Sequence, residues 1–82
     1  MDVYEIGIWE GSFFVGTKVP HAEAVSRFVC GTFVSNGYKD RRVTVTHKGR
    51  TYEHRVRDAK HARDVFGDPD AIERLVESAP CQ

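Results

Sequence analysis

Apolar and polar residues alternate on both sides of a glycine near the start of the chain, between positions 3 and 17. Such alternation predicts a β-hairpin. We place its two-residue turn at Glu10 and Gly11, because glycine readily adopts the positive φ that a tight turn requires. Ile8 would then lie opposite Phe13, whereas a one-residue slip would bury Glu5 and Glu10. The face that suits a core carries Tyr4, Ile6, Ile8, Phe13 and Val15.

The rest of the chain predicts a long helix, a second hairpin and two short helices. Between positions 21 and 34 the apolar residues recur at gaps of three and four, which predicts an amphipathic helix. The second hairpin has Lys48 and Gly49 at its turn, with valines and a tyrosine on one side and threonines, arginines and a glutamate on the other. Asp58 and Asp68 then suit the N-caps of two short helices, since a carboxylate accepts hydrogen bonds from a first helical turn.

These elements predict an α+β fold, a two-layer sandwich in the order ββα-ββαα. Its antiparallel sheet would have up to four strands, with the helices packed on one face. At 82 residues the chain is the size of one small domain. We expect residues 1–79 to form a single compact domain and residues 80–82 to be a frayed C-terminal tail. The pattern is compatible with one shared sheet or with two separate hairpins.

Trp9 and Phe14 fall on the face of the first hairpin opposite its core face, together with Val3. Burial of the apolar area of each ring is favourable by roughly 2–3 kcal/mol. We therefore expect a binding partner or another segment of the chain to cover these rings. A helix or the C-terminal tail could cover the rings, or Phe14 could shield Gly7 across the strand pair. In a shared sheet, the same outer face would also carry Arg42, Thr44, Thr46, Thr51, Glu53, Arg55 and Arg57.

Aromatic residues rimmed by arginines are typical of protein–protein hot spots. We therefore expect this surface to bind a protein partner, or a second copy of the chain in a homodimer stacked sheet to sheet. The predicted partner-binding residues are Trp9, Phe14, Val3, Arg42 and Arg55.

The alternative ligand is a nucleic acid. Seven basic and only two acidic residues lie between positions 39 and 57, although the net charge of the whole chain is zero. Aromatic rings beside arginines hold single strands by stacking and phosphate contacts. Against this alternative, the chain lacks the aromatic run of RNA-recognition motifs, and its last helix is acidic. The residues that would bind nucleic acid are Arg41, Arg42, Lys48, Arg50, Arg55 and Arg57.

The remaining chemistry predicts neither an active site nor a metal site. His47 and His54 could lie near each other on the inner side of the second hairpin, but two histidines without a third ligand are a weak metal signal. The acidic residues lack a partnered nucleophile or carboxylate pair, and the serines lack a nucleophile elbow. We therefore expect a non-enzymatic protein without catalytic residues, cofactor or small-molecule substrate.

Cysteine usage and the first residues indicate the compartment. Cys30 and Cys81 have no CxxC spacing, which favours two reduced thiols. No basic and apolar leader follows Met1, and no apolar run reaches membrane-spanning length. We expect a cytoplasmic regulatory or interaction module that does not bind membranes. The excess of Arg over Lys and of Val over Ile is typical of a GC-rich genome, such as that of an actinobacterium or one of its phages.

Overall fold

Residues 3–80, which the computed structural model describes, form four β-strands and three α-helices in the predicted order. The elements are β1 (Tyr4–Glu10), β2 (Phe13–Val19), α1 (Ala22–Asn36), β3 (Arg41–His47), β4 (Arg50–Val56), α2 (Ala59–Phe66) and α3 (Pro69–Glu77). The α+β class and the ββα-ββαα order are therefore confirmed. No helix in this part of the chain is long and apolar enough to cross a membrane.

Both hairpins belong to one antiparallel sheet with the strand order β2-β1-β3-β4. The first and second hairpins join through β1 and β3, where Ile6 lies opposite Val45 and Trp9 opposite Arg42. β1 and β3 are consequently central, while β2 and β4 form the edges. We call the sheet face that packs against the helices the inner face, and the opposite face the outer face.

The second hairpin has the predicted register. Val45 lies opposite Tyr52 and Val43 opposite His54. The turn residues Lys48 and Gly49 both have positive φ, 51° and 77°, as a two-residue hairpin turn of the favoured hand requires.

The predicted register of the first hairpin is wrong by one residue at the turn. The turn residues are Gly11 and Ser12, so that Ile8 lies opposite Val15 and Trp9 opposite Phe14. Gly11 still supplies the positive φ, 58°, but it does so at the first turn position. Glu10 stays in β1, where its carboxylate accepts from the Arg41 guanidinium at 3.1 Å. Moving the turn by one residue shifts the cross-strand pairing by two residues, so each side chain keeps its predicted face.

The core lies between the inner face and the helices. Its buried side chains on the sheet are Tyr4, Ile6, Ile8, Val43, Val45 and Val56. Those on the helices are Ala22, Val25, Val29, Phe33, Ala62, Phe66, Ile72 and Val76.

The prediction that Phe13 and Val15 belong to this core is wrong. Both point to the inner side, yet Phe13 is 81% exposed and Val15 is 46% exposed. β2 is an edge strand, and of its residues only Val19 packs against the core, as a partly buried neighbour. The buried residues of α1 therefore cover the central strands rather than the start of β2.

The helix ends follow the sequence signals. Gly37 ends α1 in the left-handed conformation, and its N–H donates to the carbonyls of Phe33 and Val34. The carboxylates of Asp58 and Asp68 cap α2 and α3, as predicted. Pro80, in the predicted tail, accepts through its carbonyl from the Thr51 N–H at 3.4 Å. Residues 81 and 82, including Cys81, lie outside the described residues.

The cap at Asp58 makes stability depend on pH. The His61 N–H donates to the Asp58 carboxylate at 2.8 Å and lowers the pKa of that carboxyl below its usual value. A group whose folded pKa is depressed stabilises the fold above its unfolded pKa, and loses that contribution as the pH falls through the folded value. We expect Asp58→Asn, which keeps an acceptor but cannot ionise, to lower Tm at pH 7. The difference from wild type should shrink below about pH 4. Thermal unfolding of both proteins between pH 7 and pH 2 measures this, and a Tm difference that stayed constant over that range would contradict the prediction.

Candidate functional site

The outer face has one cross-strand row that contains four of the predicted partner-binding residues. Phe14 on β2 lies opposite Trp9 on β1, Trp9 lies opposite Arg42 on β3, and Arg42 lies opposite Arg55 on β4. We call these four residues the aromatic–arginine row. Sequence alternation predicted their shared face, and the β1–β3 pairing makes them direct neighbours.

Trp9 is fixed within the row by three contacts. Its ring stacks on that of Phe14, with ring centroids 4.4 Å apart and planes 23° apart. Its indole N–H donates to the Thr44 hydroxyl at 3.0 Å. The Arg42 guanidinium lies 4.9 Å from the ring centroid, within the range of a cation–π interaction. The half-buried indole is thus held in a defined position, which lowers the entropy that binding would remove.

Two glycines allow both rings to lie against the sheet. A Cβ added to Gly7 would lie 2.7 Å from the Trp9 indole nitrogen, and one added to Gly16 would lie 2.7 Å from a ring carbon of Phe14. Trp9 therefore covers Gly7, whereas Phe14 covers Gly16 on its own strand rather than Gly7 across the pair. Phe14 nevertheless remains 58% exposed. Among residues 3–80 the helices pack on the inner face, so they do not cover the rings.

A shallow hollow of about 590 Å³ lies beside the rings. Gly7 and Gly16 both line it and lie opposite each other, and the exposed Gly16 forms part of its floor, while Gly7 lies beneath the Trp9 ring. The rings bound one end, and the exposed ion pair between Glu5 and Lys18, 3.7 Å apart, bounds the other. A hollow with an apolar wall, a backbone floor and charges at its far end has the form of a side-chain pocket.

Each arginine of the row has an acidic partner. Arg42 pairs with Glu53 at 3.4 Å, and Arg55 pairs with Asp40 at 2.9 Å. Asp40 has a positive φ of 54°, an uncommon conformation that aspartate tolerates better than most residues. These pairs are exposed, and such pairs are worth only about 0–1 kcal/mol. A carboxylate of a partner can therefore exchange with Glu53 or Asp40 at little cost.

Val3, also predicted to bind the partner, is separated from the row. It precedes β1, whereas Trp9 lies near the other end of that strand. Six residues of strand span roughly 20 Å. The carbonyl of Val3 instead lies 3.2 Å from the imidazole Nδ1 of His47. The structure thus brings together four of the five predicted residues.

The predicted nucleic-acid-binding residues are divided between surfaces. Arg42 and Arg55 lie on the outer face, but Arg41 lies opposite the buried Val56 on the inner side. There its guanidinium lies 4.9 Å from the ring centroid of Tyr38. The other members are Lys48 in the hairpin turn, Arg50 at the start of β4, bound to the Ala79 carbonyl, and Arg57 one residue beyond β4.

The two histidines of the predicted pair are separated as well. His47 and His54 are on the inner side, but His47 lies opposite Arg50 and His54 opposite Val43, so the expected proximity is wrong. The His47 ring stacks on Tyr4, with centroids 3.9 Å apart, and His54 contacts the ring of His61 at 5.3 Å. Within residues 3–80, no three histidine, cysteine or acidic side chains could hold a metal ion. Burial raises the pKa of the Cys30 thiol, which disfavours its reactive thiolate form.

Sequence reasoning missed the glycine floor, although a signal for it exists. Gly7 and Gly16 alternate with Trp9 and Phe14 on the same predicted face, each two residues from a large ring. That spacing allows a ring to cover the glycine on its own strand. Comparisons of the chain with protein-family models, curated proteins and solved structures gave no match.

Proposed function

We propose that this chain is a non-enzymatic interaction module that binds a protein partner through its outer face. The observation that carries the proposal is the aromatic–arginine row, a rigid Trp–Phe pair beside two arginines on the face opposite the helices. Tryptophan and arginine are enriched among residues that dominate binding energy at protein interfaces. The free thiol of Cys30 supports a cytoplasmic, reducing location as part of the same proposal.

The hollow indicates the chemistry of the partner. An apolar side chain can enter between the rings and the Glu5–Lys18 pair and contact the floor at Gly16. Acidic residues beside that anchor can replace Glu53 and Asp40 at the arginines. The partner surface would therefore present an apolar anchor flanked by carboxylates.

Single-stranded nucleic acid is the second candidate, supported by the partly exposed ring of Phe14 beside Arg42 and Arg55. Bases stack on such rings with little sequence preference. Nucleic-acid binding depends on an excess of positive charge along the backbone, and the row has none, since Glu53 and Asp40 balance its two arginines. The division of the remaining basic residues also leaves no continuous track for a backbone.

The test compares a double variant of the rings with a matched exposed control. Trp9→Ala/Phe14→Ala removes the row's apolar part, while Val34→Ala removes an apolar side chain that is 58% exposed on α1. Proteins captured by the wild-type chain would be identified, purified and titrated against each variant. We expect the double variant to weaken binding by roughly 30-fold or more, which corresponds to about 2 kcal/mol. Val34→Ala should leave the affinity unchanged, and equal losses in both variants would contradict the proposal.

The nucleic-acid candidate is tested with a fluorescent oligothymidine at low and at moderate salt. Binding that falls with salt and with Arg42→Ala/Arg55→Ala would favour nucleic acid over a protein partner. We expect no binding that these two arginines control, because the other basic residues lie on different surfaces and form no continuous track for a nucleic-acid backbone.

A further inference from the structure

The two edges of the sheet differ in what protects them. At the β4 edge, residues 79 and 80 approach the strand: Thr51 donates its N–H to the Pro80 carbonyl, and the Arg50 guanidinium donates to the Ala79 carbonyl at 2.8 Å. β4 also carries charges at Arg50, Glu53 and Arg55. Charged side chains and a covering segment are common protections of sheet edges against pairing.

In the described part of the chain, the β2 edge has no comparable backbone contact from another segment, and its charge is confined to one end. Phe13, Phe14 and Val15 are consecutive, apolar and 81%, 58% and 46% exposed. Lys18 is the one charged residue of this strand, and it lies near the far end, paired with Glu5. An edge strand of this kind presents backbone N–H and C=O groups that are available for pairing, with apolar side chains beside them on both faces of the sheet.

The apolar surface continues on the inner side of the edge. There Phe13 and Val15 line a small cleft of about 130 Å³ with Ile8, Tyr38 and Arg41. On the outer side, Phe14 continues into the aromatic–arginine row. A strand added to β2 would therefore bury apolar surface on both faces of the sheet while completing the backbone hydrogen bonds.

We propose that β2 pairs antiparallel with β2 of a second copy of the chain, about a two-fold axis at Gly16. The occupant must be an extended segment that has apolar side chains on both faces and no charge at its centre, and β2 itself has this chemistry, with Lys18 near one end as its single charge. In a two-fold contact, the same surface patch forms both sides of the interface, so that no second complementary surface is needed. The proposal concerns the edge of the sheet and does not depend on the outer face binding a partner.

The position of Gly16 at the middle of β2 sets the register. An axis there pairs the whole strand and keeps each side chain opposite one from the same face. Phe13 would lie opposite Val19 of the second copy, Val15 opposite Thr17, and Phe14 opposite Lys18. Like charges do not face each other in this arrangement, whereas axes at Phe14 or Val15 would pair shorter parts of the strand.

The dimer would have a continuous eight-stranded sheet with both outer faces on the same side. A two-fold axis perpendicular to the sheet keeps the faces of the two copies aligned. Two aromatic–arginine rows would then be presented in one surface, and a partner with two matching sites would gain from binding both at once.

The mass in solution tests the pairing. Sedimentation equilibrium from about 10 µM to about 1 mM should give a wild-type mass approaching twice the 9.3 kDa of one chain. Val15→Lys places a charge at the edge and should weaken dimerisation at least tenfold. The matched control Val34→Lys makes the same change at an exposed site on α1 and should dimerise as wild type does. Circular dichroism checks folding, and Phe13→Lys replaces Val15→Lys if the latter unfolds.

Hydrogen exchange locates the contact. The β2 amides that point away from β1 should become more protected as the wild-type concentration rises, but not in the lysine variant. A wild-type chain that remains monomeric across this whole concentration range would overturn the proposal. So would a dimer of equal strength in Val15→Lys, because stacking through the outer faces would then be the contact.

Discussion

Phe33→Ala should lower the free energy of unfolding by about 3–5 kcal/mol, the usual loss when a buried phenylalanine is removed and a cavity remains. Phe33 lies fully buried on α1, and its ring contacts that of Tyr38 edge-on, with centroids 5.8 Å apart. A domain of 82 residues has a total stability of roughly 4–12 kcal/mol. The variant should therefore lose much of its stability, which urea denaturation monitored by circular dichroism measures.

Phe13→Ala is the matched control for this loss. The substitution is the same, but Phe13 is 81% exposed at the sheet edge. We expect the free energy of unfolding to change by less than about 1 kcal/mol, which is within the range of strand propensities. Both variants should be measured at low protein concentration, so that any edge pairing does not contribute. Similar losses at the two positions would contradict the placement of Phe13 outside the core.

Gly7→Ala should displace the indole of Trp9 from the sheet. The new methyl group would lie 2.7 Å from the indole nitrogen and 2.9 Å from the Thr44 hydroxyl, so the hydrogen bond between them must break. Loss of that bond and of the stacking on Phe14 should outweigh the backbone stabilisation gained by replacing glycine. The free energy of unfolding should therefore fall by about 1–2 kcal/mol. Since Trp9 is the single tryptophan of the chain, its emission should shift to longer wavelength. Partner binding through the row should weaken with it.

Gly31→Ala makes the same chemical change where there is room for it. Gly31 lies in α1, and an added Cβ would meet no atom of another element within 4 Å. Alanine should stabilise the helix by about 0.5–1 kcal/mol without any change in tryptophan emission. An unshifted emission in Gly7→Ala would show that the indole does not depend on the glycine beneath it.

Much of the fold and part of the site were predictable because they depend on local signals. The valines of the second hairpin alternate strictly around Lys48 and Gly49, and this alternation gave the correct register. Asp58 and Asp68 marked the starts of α2 and α3, since capping involves only the next few residues. The first turn was harder, because Gly11 suits either turn position, and the ion-pair partner of Glu10 is Arg41, thirty-one residues later in the chain.

Alternation along the sequence was sufficient to predict which side chains share a face, including Trp9 with Phe14 and Arg42 with Arg55. A period of two residues is a property of each strand and needs no knowledge of its neighbours. The pairing of β1 with β3, which joins those four residues into one row, and the edge position of β2 depend on long-range contacts and became visible in the folded structure. Burial of Phe13 and Val15 depends on which strands and helices lie beside them, and those long-range contacts have no local signature. The opening hairpin therefore has the predicted faces, but its apolar inner residues lie at an open edge instead of in the core.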